Sequence, residues 1–321
     1  MNGQIEWLRS KSPALRSAVG FEPITNGFST DRKYLVRMLS EERRILRIAD
    51  QSNWERKRSE FHILHALQPF GASIPQPIEY GISEDLQICY ILLSHIDGEV
   101  ARDMLPLCTE EEQFFIGWQA GQDLRKLHQL HAPSGIPAWH SRAVQKHARY
   151  LEAYRTAGSA IPHDEKIMAF VEEHKAYLRK RPNRFQHDDF HVGNLIVKDK
   201  QYAGTIDFDR FDWGDPICDF CKLALFSREV SVPFCFGQII GYFYPRKIPP
   251  EFWTLYAVYV AMSLFSAVVW TAQMGHEQRQ EMLGRVQLIA EDHLYFERME
   301  PVWFSQDRDK WEAFAQSHCQ H

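Results

Sequence analysis

The sequence predicts an α+β protein of two lobes, and three observations carry that reading. Strand-favouring runs crowd the first third, helical periodicity dominates from about residue 99, and a strand-and-loop island at 185–219 interrupts the helices. A length of 321 residues suits two lobes better than one core. With 45% hydrophobic and 25% charged residues the chain is globular, which excludes disordered and collagen-like classes. Its 37 Lys+Arg against 42 Asp+Glu leave a charge of −5 and no basic block, which argues against nucleic acid or an anionic membrane as partner and tolerates a cationic ligand.

Taken in order, the runs 33–39 (KYLVRML) and 43–49 (RRILRIA) read as a hairpin closed by Ser40-Glu41-Glu42. A turn-rich loop, 24–31, precedes them. A charged helix is expected over 53–67, with Phe61, Leu64, Ala66 and Leu67 turned inward. The Pro-punctuated stretch IPQPIEYG reads as a loop, and the fully apolar run 88–93 as a buried strand ending in Ser94-His-Ile-Asp-Gly98. This places a first lobe at 1–93, a connecting hinge at 94–98 and a second lobe at 99–321. Within the second lobe, 110–128 and 164–178 are the clearest helices, and 195–197 with 203–206 form a second hairpin. Helix resumes after the island to about residue 298, and Pro301 opens a last short segment.

The six cysteines (Cys89, Cys108, Cys218, Cys221, Cys235 and Cys319) are scattered, and no apolar leader opens the chain, so a reducing, cytoplasmic setting is expected. Cys218-Asp-Phe-Cys221 lacks a second pair or a histidine at finger spacing, so core packing is the better reading than zinc. The uncharged run 252–270 (FWTLYAVYVAMSLFSAVVW) is long enough to span a bilayer. Thr254, Ser263 and Ser266 interrupt it and no basic cluster flanks it, so it is read as a buried helix and no membrane partner is expected.

The chemistry concentrates in His187-x-Asp189-x-x-x-x-Asn194 followed by Ile206-Asp207 on the next strand. Phosphoryl transfer needs this layout: a carboxylate to orient the acceptor hydroxyl and accept its proton, and oxygen ligands for Mg²⁺ on the nucleotide phosphates. Asp189 takes the first role, and Asn194 and Asp207 the second. His187 and His191 also raise a metal-hydrolase reading, but HDDFH has neither the HExxH nor the HxHxDH spacing. Asp207-Phe-Asp209 resembles a phosphatase DxD only loosely and lies late in the chain.

HDDFHVGN plus IDFD resembles the HGDxHxGN and IDW/IDF signatures of the aminoglycoside phosphotransferase family, small-molecule relatives of the protein kinases. GDPICDF at 214–220 is similar to that family's GDPxxDL stretch, with Asp215 and Asp219 as structural anchors of the loop. The resemblance spans about 21–298 and implies a bilobal protein-kinase-like fold with a small β-rich lobe and a large helical lobe. It gives Asn26, Gly27, Ser29 and Thr30 the place of the nucleotide-binding loop; there is no GxG or GxxxxGK[ST]. It puts Arg47 where the family has a phosphate-binding lysine, with Glu60 as its partner, and Arg37 as a competitor for the role. Ser94 and Ile96 fall at the hinge, where the Ser94 carbonyl and the Ile96 amide would bond a nucleobase.

The resemblance implies a cytoplasmic, Mg²⁺-dependent kinase that uses ATP or GTP and phosphorylates a hydroxyl of a small molecule, an aminoglycoside-type antibiotic first. Asp209, Asp212, Glu277, Glu281, Glu291 and Asp292 would favour a polycationic acceptor through their field, or form solvated acidic faces. A macrolide, a choline-like alcohol or a sugar as acceptor, and a nucleotide-binding pseudokinase, stay open at this point.

Overall fold

In the computed structural model, which describes residues 2–25, 30–158 and 160–318, the chain divides into two compact units. The first takes Met1–Gly98 and Ala203–Arg210, and the second Glu99–Tyr202 and Phe211–His321.

The first unit opens with helix α1 (Asn2–Lys11) and is built on strands β1 (Ala18–Ile24), β2 (Arg32–Met38), β3 (Arg43–Asp50), β4 (Pro77–Ser83) and β5 (Ile88–Ser94), with helix α2 (Trp54–Leu67) between β3 and β4. These strands form one antiparallel sheet in the order β1-β2-β3-β5-β4. Alternation along the strands decides which side chain meets what. Tyr34, Val36 and Met38, Leu46 and Ile48, and Ile88, Tyr90 and Leu92 fill one face together with Leu8 of α1 and Leu15. Arg47 lies between Leu46 and Ile48 and therefore points to the other face, over β4 and β5, where α2 packs.

Two of the five strands were not expected. Both β1 and β4 carry a proline (Pro23, Pro77), and both are edge strands, the place where a missing N–H breaks no ladder. The segment IPQPIEYG is thus half strand, not loop. Helix α2 buries Lys57, Glu60, Ile63, Leu64 and Leu67, while Ala66 is exposed and Phe61 half-buried. The inward face is rotated from the expected one, because Lys57 and Glu60 occupy its first half.

The second unit begins at β6 (Glu99–Val100) and α3 (Ala101–Met104), followed by α4 (Glu110–Leu127), α5 (Trp139–Tyr154), α6 (Asp164–His174), β7 (Arg184–Gln186) and β8 (Leu195–Lys198). Strand β9 (Gln201–Thr205) leads out of it, and β10 (Asp212–Gly214) returns to pair with β7. Helices α7 (Val232–Phe243), α8 (Pro250–Thr271), α9 (His276–Asp292) and α10 (Val302–His318) complete it. Helix α4 starts on a capping box: the Glu112 amide donates to Thr109 Oγ1 at 3.2 Å, and the Thr109 amide donates to Glu112 Oε2 at 2.8 Å.

Helices α4 and α7 cross at backbone contact. A Cβ on Gly121 would lie 2.1 Å from the Gln238 carbonyl oxygen, and one on Gly237 2.0 Å from that of Phe114, so only glycine permits this approach. Helix α8 is long and apolar enough to cross a membrane by length and composition, yet 72% of its most apolar window is buried within the unit, against α5, α6 and α9. Ser263 and Ser266, which break the apolar run, return their hydroxyls to the carbonyls of Val260 and Ser263.

Candidate active site

The loop 187–194 of the second unit is held from its backbone outward. His128, which caps α4, bonds Tyr242 Oη at 2.9 Å and Asp219 Oδ2 at 3.0 Å. Asp219, buried, accepts the backbone N–H groups of His187 and Asp188, each at 2.8 Å. Asp215 is fixed separately: Arg181 binds it bidentately at 2.7 and 2.8 Å, and the Tyr259 hydroxyl donates to it at 2.7 Å. Asp219 thus holds the loop backbone, and Asp215 ties Arg181 and Tyr259 together beside it. Asp188 has a left-handed backbone, φ 58°, at the position where the family signature has glycine. Its side chain faces Lys146 of α5 at 3.7 Å.

Asp189 follows, part-exposed, with both oxygens addressed. Oδ1 receives His191 Nε2 at 3.3 Å and Lys222 Nζ at 3.5 Å. Oδ2 receives Asn194 Nδ2 at 3.2 Å, and the same amide group donates to the Asp189 carbonyl at 2.9 Å. Burial would raise this carboxyl, but the His191 bond and the Lys222 charge outweigh it and hold Asp189 well below the usual carboxylate range. Because the Asn194 amide spends its N–H groups on Asp189, its Oδ1 faces outward without a hydrogen bond among the described residues.

His191 has no nitrogen left for a metal. Its Nδ1 accepts the Gly193 amide at 3.0 Å, which places the proton on Nε2, the nitrogen that faces Asp189. Among the described residues no group of three His, Cys, Asp or Glu is arranged to hold a metal ion. Cys218 and Cys221 are free thiols.

In the first unit, Arg47 is the centre of a second cluster. Its side chain is 5% exposed and meets Glu60 Oε1 at 2.7 Å, Asp209 Oδ2 at 2.7 Å, Asp31 Oδ2 at 2.9 Å and Asp207 Oδ1 at 3.5 Å. Arg37, by contrast, is 59% exposed and pairs with Glu22. Lys57, one turn before Glu60 on α2, is 0% exposed and bonds Asp31, and Arg56 bonds Asp209. Burial pushes the Glu60 carboxyl up against the pull of Arg47 and Lys57, whereas Asp209, despite burial, is pulled down to about 2 by Arg47 and Arg56. Asp207 stands apart: it is the most exposed carboxylate on Arg47, at 32%, and is left-handed at φ 70°.

Of the other expected residues, Ser94 closes β5, its Oγ accepting the Gln76 amide at 2.8 Å, and His95 donates its amide to the Arg43 carbonyl at 3.2 Å. Ile96 is half-buried and Thr30 exposed, while Asn26, Gly27 and Ser29 lie outside the described residues. Asp189 and Asn194 therefore come together in the second unit, and Arg47, Glu60 and Asp207 in the first. Three of the six acidic residues expected to attract a polycation are held in ion pairs: Asp209 with Arg47 and Arg56, Asp212 with Arg142, and Asp292 bidentately with Arg228. Sequence reasoning missed Lys57, Arg56 and Lys222. Lys57 carries a faint signal, since it precedes Glu60 by three and so shares its helix face.

An antiparallel sheet with its helix-borne Glu60 on a strand-borne Arg47, and a loop that presents Asp189 beside Asn194, define a kinase-like phosphotransferase. Residues 20–250 match the phosphotransferase enzyme family, and the chain belongs to it. It is accordingly a small-molecule O-phosphotransferase that uses a nucleotide. A search of curated proteins returned no match. Among solved structures the chain is similar to ADP-bound aminoglycoside phosphotransferase APH(2'')-Ib, with 14% identity, a TM-score of 0.62, and coverage of 90% of this chain and 98% of that one. It is similar to the streptomycin–ATP ternary complex of APH(2'')-IIa, with 16% identity, TM-score 0.62 and coverage of 92% and 98%. A thermostable mutant of APH(4)-Ia with AMP-PNP and hygromycin B gives 15%, 0.62, 89% and 97%. These likenesses establish the protein-kinase-like α+β fold.

Proposed function

We propose that the protein transfers the γ-phosphoryl group of ATP or GTP, with Mg²⁺, to a hydroxyl of a small molecule, with an aminoglycoside-type antibiotic as the first acceptor to test. The observation that carries this reading is the Asp189 carboxylate, pinned in the backbone by Asp219 and oriented by Asn194, His191 and Lys222. Held ionised, Asp189 is a weak base. That suits a loose phosphoryl-transfer transition state, where orienting the hydroxyl matters more than early removal of its proton.

By residue type Asn194 and Asp207 would each offer an oxygen ligand, the kind that a hard cation such as Mg²⁺ prefers. When bound, the metal would neutralise charge on the transferring phosphates. Arg47 would meet the phosphates by giving up its longest contact, the 3.5 Å link to Asp207, which releases a guanidinium donor and a metal ligand together. Glu60, Asp31 and Asp209 keep Arg47 in place while it does so. Asn26, Gly27, Ser29 and Thr30 would cover the phosphates, and the Ser94 carbonyl and Ile96 amide would bond the base. The reading includes a cytoplasmic location, where nucleoside triphosphate is supplied.

The test is nucleotide consumption by the purified protein with Mg²⁺ across aminoglycosides, macrolides, choline-like alcohols and sugars, with Asp189→Ala alongside. Acceptor-dependent turnover that falls on the order of 10²- to 10⁴-fold in the variant is expected. Tight nucleotide binding with no turnover would favour a pseudokinase, and no nucleotide binding would end this reading.

A further inference from the structure

Lys222 is a half-buried cation that the reaction outlined above uses only in passing. It lies three residues after Asp219, between the short 3₁₀ segment Pro216–Phe220 and the π-helical turn Leu223–Ser227. One short segment therefore delivers both the carboxylate that pins the catalytic backbone and an ammonium that reaches the catalytic side chain. Lys222 Nζ stands 3.5 Å from Asp189 Oδ1 and 6.0 Å from the centre of the Phe226 ring, and the His191 ring packs 4.5 Å from the same ring. Phe226 is thus a common platform under the two groups that address Oδ1. Burial would discharge an isolated ammonium here, but Asp188 and Asp189 together hold Lys222 protonated above its ordinary range.

The neighbouring acid shares the field of this cation but has a direct ion pair of its own, Asp188 with Lys146 at 3.7 Å. Two acid–base pairs lie side by side, and the Lys222 pair contains the catalytic carboxylate. The two oxygens of Asp189 are consequently unlike. Oδ1 carries a cation and an imidazole N–H, whereas Oδ2 meets, among the described residues, only the neutral Asn194 amide and keeps the greater basicity.

We propose that Lys222 is a positioning residue of the phosphoryl-transfer reaction: by holding Oδ1 of Asp189 it fixes the carboxylate rotamer so that Oδ2 is the oxygen presented to the acceptor hydroxyl. This rests on Asp189 as the acceptor-orienting group. It predicts that loss of Lys222 lowers kcat while leaving both KM values near their original level, since Lys222 acts through Asp189 and touches neither substrate.

The experiment is a double-mutant cycle of Lys222→Met and Asp189→Ala, with turnover measured both with a small-molecule acceptor and with water as acceptor, and Lys222→Arg alongside. The expected result is a loss of about 10- to 100-fold in kcat for Lys222→Met, the scale of a misplaced catalytic group. KM should stay within about twofold, Lys222→Arg should restore most of the rate, and Lys222→Met should add less than about twofold to Asp189→Ala. An equal loss in the Asp189→Ala background, a rise confined to KM, or full activity of Lys222→Met overturns the inference. Should Lys222→Met not fold, Lys222→Gln keeps a donor in the same space and is read by the same cycle. A wild-type protein with neither transfer nor hydrolysis overturns the phosphotransfer reading of the site; active wild type with an insensitive Lys222 overturns this inference alone.

Discussion

A guanidinium survives burial only where its charge is answered, and Arg47 is answered by Asp31, Glu60, Asp207 and Asp209. Removing the cation leaves those carboxylates with Lys57 and Arg56 alone, so Arg47→Ala should lower stability by about 3–5 kcal/mol, read from urea unfolding. The same cluster predicts an acid limb. The Asp209 pKa in the fold, about 2, lies below its ordinary value of 3.8, so its contribution, roughly 2 kcal/mol, is complete above about pH 4 and is lost as pH falls through about 2. Asp31 is lowered as well, chiefly because Arg47 and Lys57 outweigh its burial, and adds to the same limb. Asp209→Asn should flatten the fall in stability between about pH 4 and pH 2, and an unchanged acid limb would count against this assignment. Asp189, Asn194 and Asp207 stand out in the sequence because they lie in a recognisable pattern, whereas Arg47 and Glu60 are located only through the family resemblance. Lys57 and Lys222 do not, because a lysine in WERKRSEF or CDFCKLAL has the look of a solvated charge until the fold supplies the carboxylates that allow its burial.

At the scale of elements, legibility depended on whether hydrophobic pattern and backbone chemistry agreed. They agree in β2, which alternates, and in β3 and β5, which carry continuous buried runs, all without glycine or proline, and these strands fall within a residue or two of their expected bounds. They disagree in β1 and β4, where proline argues for a loop and only the edge position in the sheet resolves the conflict. The crossing of α4 and α7 was invisible for another reason: glycine spacing becomes informative only once two helices are known to meet. That crossing predicts that Gly121→Ala, whose new methyl carbon would meet the rigid Gln238 carbonyl at 2.1 Å, costs about 1–3 kcal/mol and several degrees in Tm. The effect should reach the catalytic loop, because His128 at the end of α4 bonds Asp219 and Asp219 holds the His187 and Asp188 amides. Asp219→Ala orphans both N–H groups at about 1–3 kcal/mol each, and should reduce kcat at least tenfold with nucleotide affinity little changed, in steady-state kinetics paired with nucleotide titration.

The division between Gly98 and Glu99 falls where the sequence changes character, but one later segment crosses it. Segment Ala203–Arg210, far along the chain, groups with the first unit, and it brings Asp207 and Asp209 to Arg47 and lets the Thr205 amide donate to the Ser73 carbonyl at 2.9 Å. Hydrophobic period does not report such a membership, since an eight-residue stretch has no core of its own to pattern. Its charges do report it once Arg47 is seen to be buried, because Asp31 and Glu60 must otherwise share Arg47, Lys57 and Arg56 among themselves. A fragment ending at Gly98 keeps those three cations and only two of the four carboxylates, so the first unit should not be self-sufficient. A domain's total stability is about 5–15 kcal/mol, and uncompensated buried charge on Arg47 and Lys57 would consume several of those. The fragment 1–98 expressed alone should therefore show no cooperative thermal transition, whereas the same fragment joined through a flexible linker to residues 203–210 should regain one. Asp207→Asn together with Asp209→Asn in that fusion should abolish the gain, which ties it to the carboxylates and not to added chain length. Equal, cooperative unfolding of the bare fragment and the fusion would show instead that the sheet and α2 hold Arg47 without help from the distant segment.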